Sequence, residues 1–184
     1  MAERDISENA NLLSSKLHDN QKIILDMIQN GTVLPEILTK LILVVEELAP
    51  GMIGTILIID ASGKKLTHGA GPHMPDHYNE AVNGIEIGLG VGSCGHAAFT
   101  GKPCVIGDMQ THPNWAPFLK LTSPLGLQSC WTAPIFSFDK KVIGTFAMYY
   151  KEKREPTLNE RKLLDFTSHL ATIVIERSRA RDAA

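Results

Sequence analysis

The sequence predicts an α+β fold in which helices cover a mainly antiparallel sheet. Helical apolar periodicity is confined to the two ends of the chain, and short β-branched runs separated by turn residues fill the middle. The length of 184 residues and the hydrophobic content of 43% suffice for one domain with a substantial core.

Helices are predicted at both ends. After ten polar residues, the segment 11–29 repeats apolar residues at steps of three to four, and Asn30-Gly31 ends it. The segment 34–48 has a second apolar face and a proline in its first turn, where no backbone donor is required. A last helix begins at Thr157, which forms a capping box with Glu160.

The middle of the chain predicts short strands and two short helices. Four glycines between positions 84 and 92 indicate irregular backbone near a site or a tight turn. A turn at Asp139-Lys140 joins the last two strands. The strands are expected at 52–60, 65–70, 85–87, 104–106, 127–138 and 141–150, and the short helices at 75–82 and 93–100.

Composition excludes several classes of function. A net charge of −2, with basic residues clustered only in the final helix, argues against a nucleic-acid surface. The longest apolar runs are too short to span a bilayer, and the first residues do not form a secretory signal. Three cysteines, an odd number, fit a reducing compartment. We therefore expect a soluble, cytoplasmic protein.

Short motifs follow one another between Gly90 and Tyr150 in an order that resembles the second half of a GAF domain, the small-molecule-sensing module of bacterial signalling proteins. The resemblance covers residues 33–176, preceded by an N-terminal helix at 1–32 and followed by the polar tail of the last helix at 177–184. The motifs are Gly-x-Gly-x-x-Gly-x-Ala (90–97), Gly-Lys-Pro (101–103), Asp108, Pro-x-Trp (113–115), Gly-Leu (126–127), Cys-Trp-x-x-Pro-Ile (130–135) and Gly-Thr-Phe (144–146).

The resemblance implies a central antiparallel sheet of about five to six strands, with the terminal helices on one face and pocket-forming loops and short helices on the other. The pocket is expected between the segment 88–100, the loop 108–121 and the inner face of the strand 127–134, over a floor carrying Trp131 and Phe146. The expected ligand-binding residues are Ser93, Cys94, Gly95, His96, Asp108, Trp115, Phe118, Cys130 and Thr132. The ligand and any cofactor stay unspecified.

The site residues also have structural interpretations. The spacing Gly90-x-Gly92-x-x-Gly95 matches a dinucleotide fingerprint, but no βαβ unit surrounds it, which favours a structural turn. Free amides at the start of the short helix at Ser93 are a candidate anion site. The chain has no zinc knuckle, so no metal site is predicted, and small core residues are the favoured interpretation of its cysteines.

Two polar-loop residues carry alternatives of their own. Asp108 follows a short strand and is expected to accept hydrogen bonds from the neighbouring loop, a structural role that we favour over catalysis. Trp115 is expected either to close over the pocket or to plug it, since large aromatic side chains fill space efficiently.

The favoured function is a non-enzymatic, small-molecule-sensing regulatory domain of a signal-transduction protein, with an output domain in a longer or separate chain. One alternative is a redox enzyme similar to free methionine-(R)-sulfoxide reductase, using Cys94 and Cys104. That family's catalytic cysteine lies in a loop that contains no cysteine here.

A second alternative is a degenerate dimerisation module without a ligand. The N-terminal helix carries an apolar stripe that is more than one sheet usually needs, at Leu13, Leu17, Ile24 and Ile28. We therefore expect a homodimer through the terminal helices, although simple packing against the sheet is the alternative explanation of the stripe.

Overall fold

The computed structural model describes the backbone of residues 2–184 and the side chains of residues 11–184. The helices are α1 (Ala2–Gln29), α2 (Leu34–Leu48), α3 (Asp76–Val82), α4 (Cys94–Thr100), α5 (Leu119–Thr122) and α6 (Leu158–Ala183), with 3₁₀ turns at Pro113–Phe118 and Ser123–Leu125. The strands are β1 (Ile53–Ile59), β2 (Lys65–Ala70), β3 (Ile85–Glu86), β4 (Cys104–Ile106), β5 (Ser129–Phe136) and β6 (Val142–Tyr150).

The six strands form one antiparallel sheet in the order β3-β2-β1-β6-β5-β4. The longest pairing joins β5 to β6 through the predicted hairpin, in which Lys140 adopts a left-handed conformation with φ of 64°. The α+β class, the antiparallel sheet and its expected number of strands are confirmed.

Helices α1, α2 and α6 pack together on one face of the sheet. Proline at the start of α2 and the capping box of α6 set two of their ends, as the sequence predicts. In the capping box, the Glu160 amide donates to Thr157 Oγ1 over 3.2 Å, and the Thr157 amide donates to Glu160 Oε1 over 2.9 Å. Each bond satisfies a donor that the helix itself leaves free.

The core beneath these helices contains the large side chains of the central strands. Trp131, Phe146 and Tyr150 are almost completely buried there. We expected Trp131 and Phe146 to form the pocket floor, and that prediction is wrong. Successive residues of a strand point to opposite faces, so the floor of the other face carries their neighbours, including Tyr149.

Helix α1 differs from its prediction in two ways. It begins at Ala2, nine residues before the predicted start. Its apolar stripe also serves the core of its own chain, since Leu17, Ile24 and Ile28 are all buried and α1 packs against α2 and α6. The stripe is therefore explained by packing within one chain, and among residues 11–29 of α1 the exposed large apolar residues are Leu12 and Ile23.

The segment 113–125 is helical, although the sequence predicts only a loop there. Three prolines, Pro113, Pro117 and Pro124, obscure the helical pattern because each removes a backbone donor. Short 3₁₀ turns accommodate two of these prolines, Pro113 at the first position of one turn and Pro124 at the second position of the other. Within residues 2–184, no helix is both long and apolar enough to cross a membrane.

Candidate functional site

The face of the sheet opposite the long helices is covered by small and irregular elements. Helix α4 lies across β5 and β6 and contributes Cys94, Ala97 and Ala98 to the buried surface. These small side chains allow the helix to approach the sheet closely. Gly101, with φ of 67°, ends the helix in a left-handed conformation that glycine adopts without steric cost.

A glycine-rich loop leads into α4 and pairs with the segment that follows β4. The Gly92 amide donates to the Asn114 carbonyl over 3.0 Å, and Asn114 Nδ2 donates to the Gly92 carbonyl over 3.2 Å. Trp115 Nε1 donates to Ser93 Oγ over 2.9 Å. These three bonds join the loop 88–93 and the segment 112–118 into one layer, which we call the roof.

Between the roof and the sheet lies a cavity of about 30 Å³. No lining side chain carries a charge, and most are apolar or aromatic. The lining residues come from four parts of the fold. The sheet contributes Thr55, Leu57, Ile85 and Tyr149, and α3 contributes Tyr78, Asn79 and Val82. The roof contributes Val91, Gly92, Ser93, Trp115 and Phe118, and the helices α4 and α5 contribute Cys94, Gly95 and Leu121.

Aromatic rings surround the cavity in edge-to-face contacts. The Trp115 ring centroid lies 5.8 Å from that of Phe118 and 6.1 Å from that of Tyr149. The hydroxyls of Tyr78 and Tyr149 lie 2.7 Å apart, so one donates to the other. Burial raises the pKa of both tyrosines well above the usual value, and both hydroxyls stay neutral.

A layer of thiols and hydroxyls lies beside the cavity, between α4 and the sheet. Thr132 Oγ1 lies 3.7 Å from Cys94 Sγ and 3.6 Å from Cys130 Sγ. Thr145 Oγ1 is buried on the same face without a hydrogen-bond partner. This face therefore contains small polar groups where the opposite face contains large apolar ones.

The three cysteines are poor nucleophiles in this environment. Burial raises the pKa of Cys94, and the contact of its thiol with the Thr132 hydroxyl only partly opposes the shift. Burial, with a smaller contribution from Cys94, raises the pKa of Cys104 to about 11. Burial also raises the pKa of Cys130. All three are free thiols, and the thiolate that redox chemistry requires is disfavoured.

The expected site residues separate into two groups. Ser93, Cys94, Gly95, Trp115 and Phe118 line the cavity. The others lie outside its lining: Cys130 and Thr132 behind Cys94, His96 on the outer side of α4, and Asp108 at the end of β4.

Asp108 has the structural role that the sequence indicates. Its Oδ1 accepts a hydrogen bond from the Gln110 amide over 3.1 Å, and its Oδ2 lies 3.5 Å from Lys153 Nζ. Partial burial opposes ionisation, but a hydrogen bond from Thr111 and the charge of Lys153 outweigh it and lower the pKa of Asp108. The carboxylate holds a loop outside the cavity.

Two backbone amides in the first turn of α4 donate within the chain. The His96 amide donates to the Val91 carbonyl over 3.2 Å, and the Ala97 amide donates to the Ser93 carbonyl over 2.9 Å. Among the described side chains, no group of three His, Cys, Asp or Glu residues has a geometry that could hold a metal ion.

Sequence reasoning missed the contributions of β1, α3 and the end of β6 to the cavity. From the sequence, Thr55 and Leu57 were assigned only to a buried strand, and Tyr78 only to a short helix. One available signal was the pair Tyr149-Tyr150, because two buried tyrosines in succession must face opposite sides of a strand, each in need of a hydroxyl partner.

Comparison with known proteins agrees with this architecture. The sequence model of the GAF domain matches residues 32–176. The chain is 35% identical over 164 residues to the methyl sulfide methyltransferase-associated sensor of Methanosarcina acetivorans, covering 89% of this chain and 16% of that protein. The chain thus spans about a sixth of that relative's length.

Two solved structures show the same fold. The free methionine-R-sulfoxide reductase of Neisseria meningitidis superposes with a TM-score of 0.73 at 19% identity, covering 94% of this chain and 93% of that one. The GAF domain of a phosphoenolpyruvate-protein phosphotransferase from Coxiella burnetii superposes with a TM-score of 0.69 at 18% identity, covering 92% and 98%. With a family match over most of its length, this chain belongs to the GAF domain family.

Proposed function

We propose that the domain is a non-enzymatic sensor of a small, neutral, largely apolar molecule that binds between the roof and the sheet. The observation that carries the proposal is the lining of the cavity, which has aromatic and aliphatic side chains, a few neutral polar groups and no charge. A buried charge without a partner is strongly disfavoured, so an anion or cation would be a poor guest here.

The volume of the cavity limits the size of the molecule that fits beneath the roof in this structure. A volume of about 30 Å³ accommodates about one or two water-sized guests, whereas pockets for larger ligands measure roughly 300–1,000 Å³. A larger molecule therefore requires the roof to move. Gly90 and Gly92, with φ of 77° and 53°, supply backbone freedom on one side of that movement.

The relative's name supports the ligand class. That protein is called a methyl sulfide methyltransferase-associated sensor, and a methyl sulfide is a small, neutral, largely apolar molecule. Dimethyl sulfide is therefore a rational first probe for this chain.

The cavity is connected to a candidate output helix through two adjacent residues of β6. Tyr149 lies in the cavity floor, and Tyr150 points to the opposite face, where its hydroxyl donates to Glu160 Oε2 over 2.6 Å. Glu160 belongs to the capping box of α6. A ligand that shifts the backbone of β6 would thus change the contact that positions α6, provided that it binds the two states with different affinity.

The binding proposal is tested by fluorine NMR of protein labelled with 5-fluorotryptophan. The chain has two tryptophans, Trp115 at the cavity and Trp131 in the opposite core. We expect dimethyl sulfide or another small neutral compound to shift the Trp115 signal saturably and to leave the Trp131 signal in place. Nitrate and acetate are the charged controls, and the cavity-filling variant Leu121→Phe is the control for location.

The result would contradict the proposal if no compound of a neutral panel moved the Trp115 signal, or if only the charged compounds did. A shift of both signals of equal size would indicate a global change rather than a bound guest. Loss of the response in Leu121→Phe would assign binding to the cavity, since that residue lines it.

The reductase alternative has its own test. With a pKa of about 11, roughly one Cys104 side chain in 10⁴ is in the thiolate form at neutral pH. We expect no reduction of methionine-(R)-sulfoxide in the presence of dithiothreitol. Turnover that disappears in Cys94→Ser or Cys104→Ser would establish the enzymatic function instead.

We also propose that the domain forms a homodimer through its terminal helices and regulates an output domain in a longer or separate chain. The exposed residues Leu12 and Ile23 on α1 support this contact. Ile23→Glu is expected to convert a dimer to a monomer in sedimentation experiments. Ile24→Glu is unsuitable for this test, because Ile24 is fully buried in its own chain and the charge would unfold α1.

A further inference from the structure

Two histidines in the roof accept hydrogen bonds from the backbone. His96 Nδ1 accepts from the Gly90 amide over 3.0 Å, and His112 Nδ1 accepts from the Asn114 amide over 3.1 Å. A backbone N–H only donates, so Nδ1 of each ring must carry a lone pair and no proton. The geometry therefore requires both imidazoles to be neutral, with the proton on Nε2.

The two bonds lie on either side of the contact that holds the roof together. His96 anchors the glycine-rich loop to α4 at Gly90, two residues before Gly92. His112 caps the 3₁₀ turn at Asn114, one residue before Trp115. Gly92 and Asn114 are the residues that pair the two halves of the roof. Each histidine thus stabilises one half of that pairing.

We propose that His96 and His112 form a proton-sensitive latch, which holds the roof closed when both rings are neutral and releases it when they are protonated. Nδ1 now accepts a hydrogen bond from the backbone amide. A proton on Nδ1 would point at the amide hydrogen, and the bond would be lost. Protonation of an imidazole places a proton on Nδ1, so the roof loosens as the pH falls. The inference rests on the proposed function only in treating the roof as the cover of a ligand cavity.

The charged groups near the latch offer no replacement partner. The elements around the two rings carry Glu86 on β3, Lys102 after α4, Asp108 before the 3₁₀ turn and Lys120 on α5, and Asp108 is paired with Lys153. Among the side chains of residues 11–184, no carboxylate oxygen lies within 4.0 Å of a nitrogen of either ring. Protonation therefore breaks a bond without forming an ion pair in its place.

The first test is the tautomeric state of the rings in the ligand-free protein, read by long-range proton–nitrogen NMR. At pH 8, His96 and His112 are expected to be entirely in the Nε2–H form. Exposed His18 serves as the internal comparison, since it should show the usual mixture of tautomers. An Nδ1–H tautomer at either roof position would overturn the proposal.

The second test is amide hydrogen exchange at Gly90 and Asn114, normalised to the intrinsic rate at each pH. Loss of one hydrogen bond is expected to lower the protection of its amide about fivefold between pH 7.5 and pH 5.5, given a net bond strength of about 1 kcal/mol. Protection that stays constant over this range would contradict the latch.

His96→Asn and His112→Asn are the matched variants. The Asn side-chain oxygen occupies nearly the position of Nδ1 and accepts a hydrogen bond, but it does not titrate. Both variants should keep the protection at pH 5.5 that the wild type loses, and an equal loss in the Asn variants would show that the histidines are not its cause. The tests require no ligand, so a confirmed latch with no bound compound would reject the ligand proposal alone.

Discussion

The two faces of the central sheet carry different kinds of side chain and different covering elements. The helix-covered face contains Trp131, Phe146 and Tyr150 beneath three long helices, and it is close-packed. The roof-covered face contains small residues such as Cys130, Thr132 and Ala147 beneath a seven-residue helix and irregular loops. Since large apolar side chains contribute most to burial, we infer that stability is concentrated on the first face.

The second face has the features that local rearrangement requires. It contains the cavity, a buried Thr145 hydroxyl without a partner, and a cover of loops whose two halves are joined by hydrogen bonds of Asn114 and Trp115. Elements with few buried apolar contacts open at lower free energy than a close-packed core. One sheet can thus combine a rigid face with an adaptable site, because alternate residues of each strand point to opposite faces and can differ independently.

Truncation of the two tryptophans tests the difference in stability between the two faces, and it has the largest expected effect. Trp131→Ala is expected to lower the free energy of unfolding by about 4 kcal/mol, because the helices cannot collapse into the space. Trp115→Ala should cost about 2 kcal/mol, since the roof can relax around the loss. Urea denaturation measures both values. Equal losses would show that the roof face is as rigid as the helix face.

Glu160→Gln tests how the helix face is attached to the end of β6. Glu160 accepts bonds from Tyr150 and the Thr157 amide and pairs with Arg154, so we expect a loss of about 2 kcal/mol at neutral pH. Burial by itself would raise the pKa of Glu160, but these bonds and the Arg154 charge outweigh it and hold that pKa below the usual value.

The pH dependence of this variant has a definite sign. Because the folded-state pKa of Glu160 is lowered, its stabilisation is present above the unfolded-state pKa and is lost as the pH falls through the folded-state value. Unfolding curves of wild type and Glu160→Gln should therefore converge as the pH falls below the folded-state pKa of Glu160. A difference that persists unchanged at pH 3 would assign the effect to packing instead of charge.

The hydroxyl pair on the roof face is expected to have a smaller effect. Tyr149→Phe removes one member and leaves the buried Tyr78 hydroxyl without its partner, at a cost of about 1.5 kcal/mol. The double variant Tyr78→Phe/Tyr149→Phe should cost less than the sum of the single changes, because no unpaired hydroxyl is left behind. Additive losses in thermal or urea unfolding would show that the two hydroxyls do not interact.

The smallest expected effect is a gain. Thr145→Val replaces a buried hydroxyl without a partner by a methyl group of similar size, and it should raise the free energy of unfolding by up to about 1 kcal/mol. Thr132→Val on the same face is the matched control, since Thr132 has two thiol neighbours and should lose a few tenths of a kcal/mol. A loss in Thr145→Val would indicate that a partner, such as a bound water, satisfies the hydroxyl.

Much of the chain could be predicted element by element. The ends of α2, β2 and β4 coincide with the sequence predictions, and the capping box of α6 forms as expected. The segment 113–125 was missed because its prolines disrupt the helical pattern, although 3₁₀ turns tolerate them. Half of the cavity lining was missed because Thr55 and Tyr78 lie far from the motifs in sequence.

Apart from the segment 113–125 and the first turns of α1, the helices, the six strands and the family follow from the sequence, since periodicity, caps and motif spacing are local properties of the chain. Only the tertiary structure decided which side of the sheet each strand residue faces. Seven of the eight residues of β5 are buried, so the strand has no alternation of buried and exposed residues from which its two faces could be assigned. The positions of Trp131 and the cavity therefore depend on which elements pack above and below that strand.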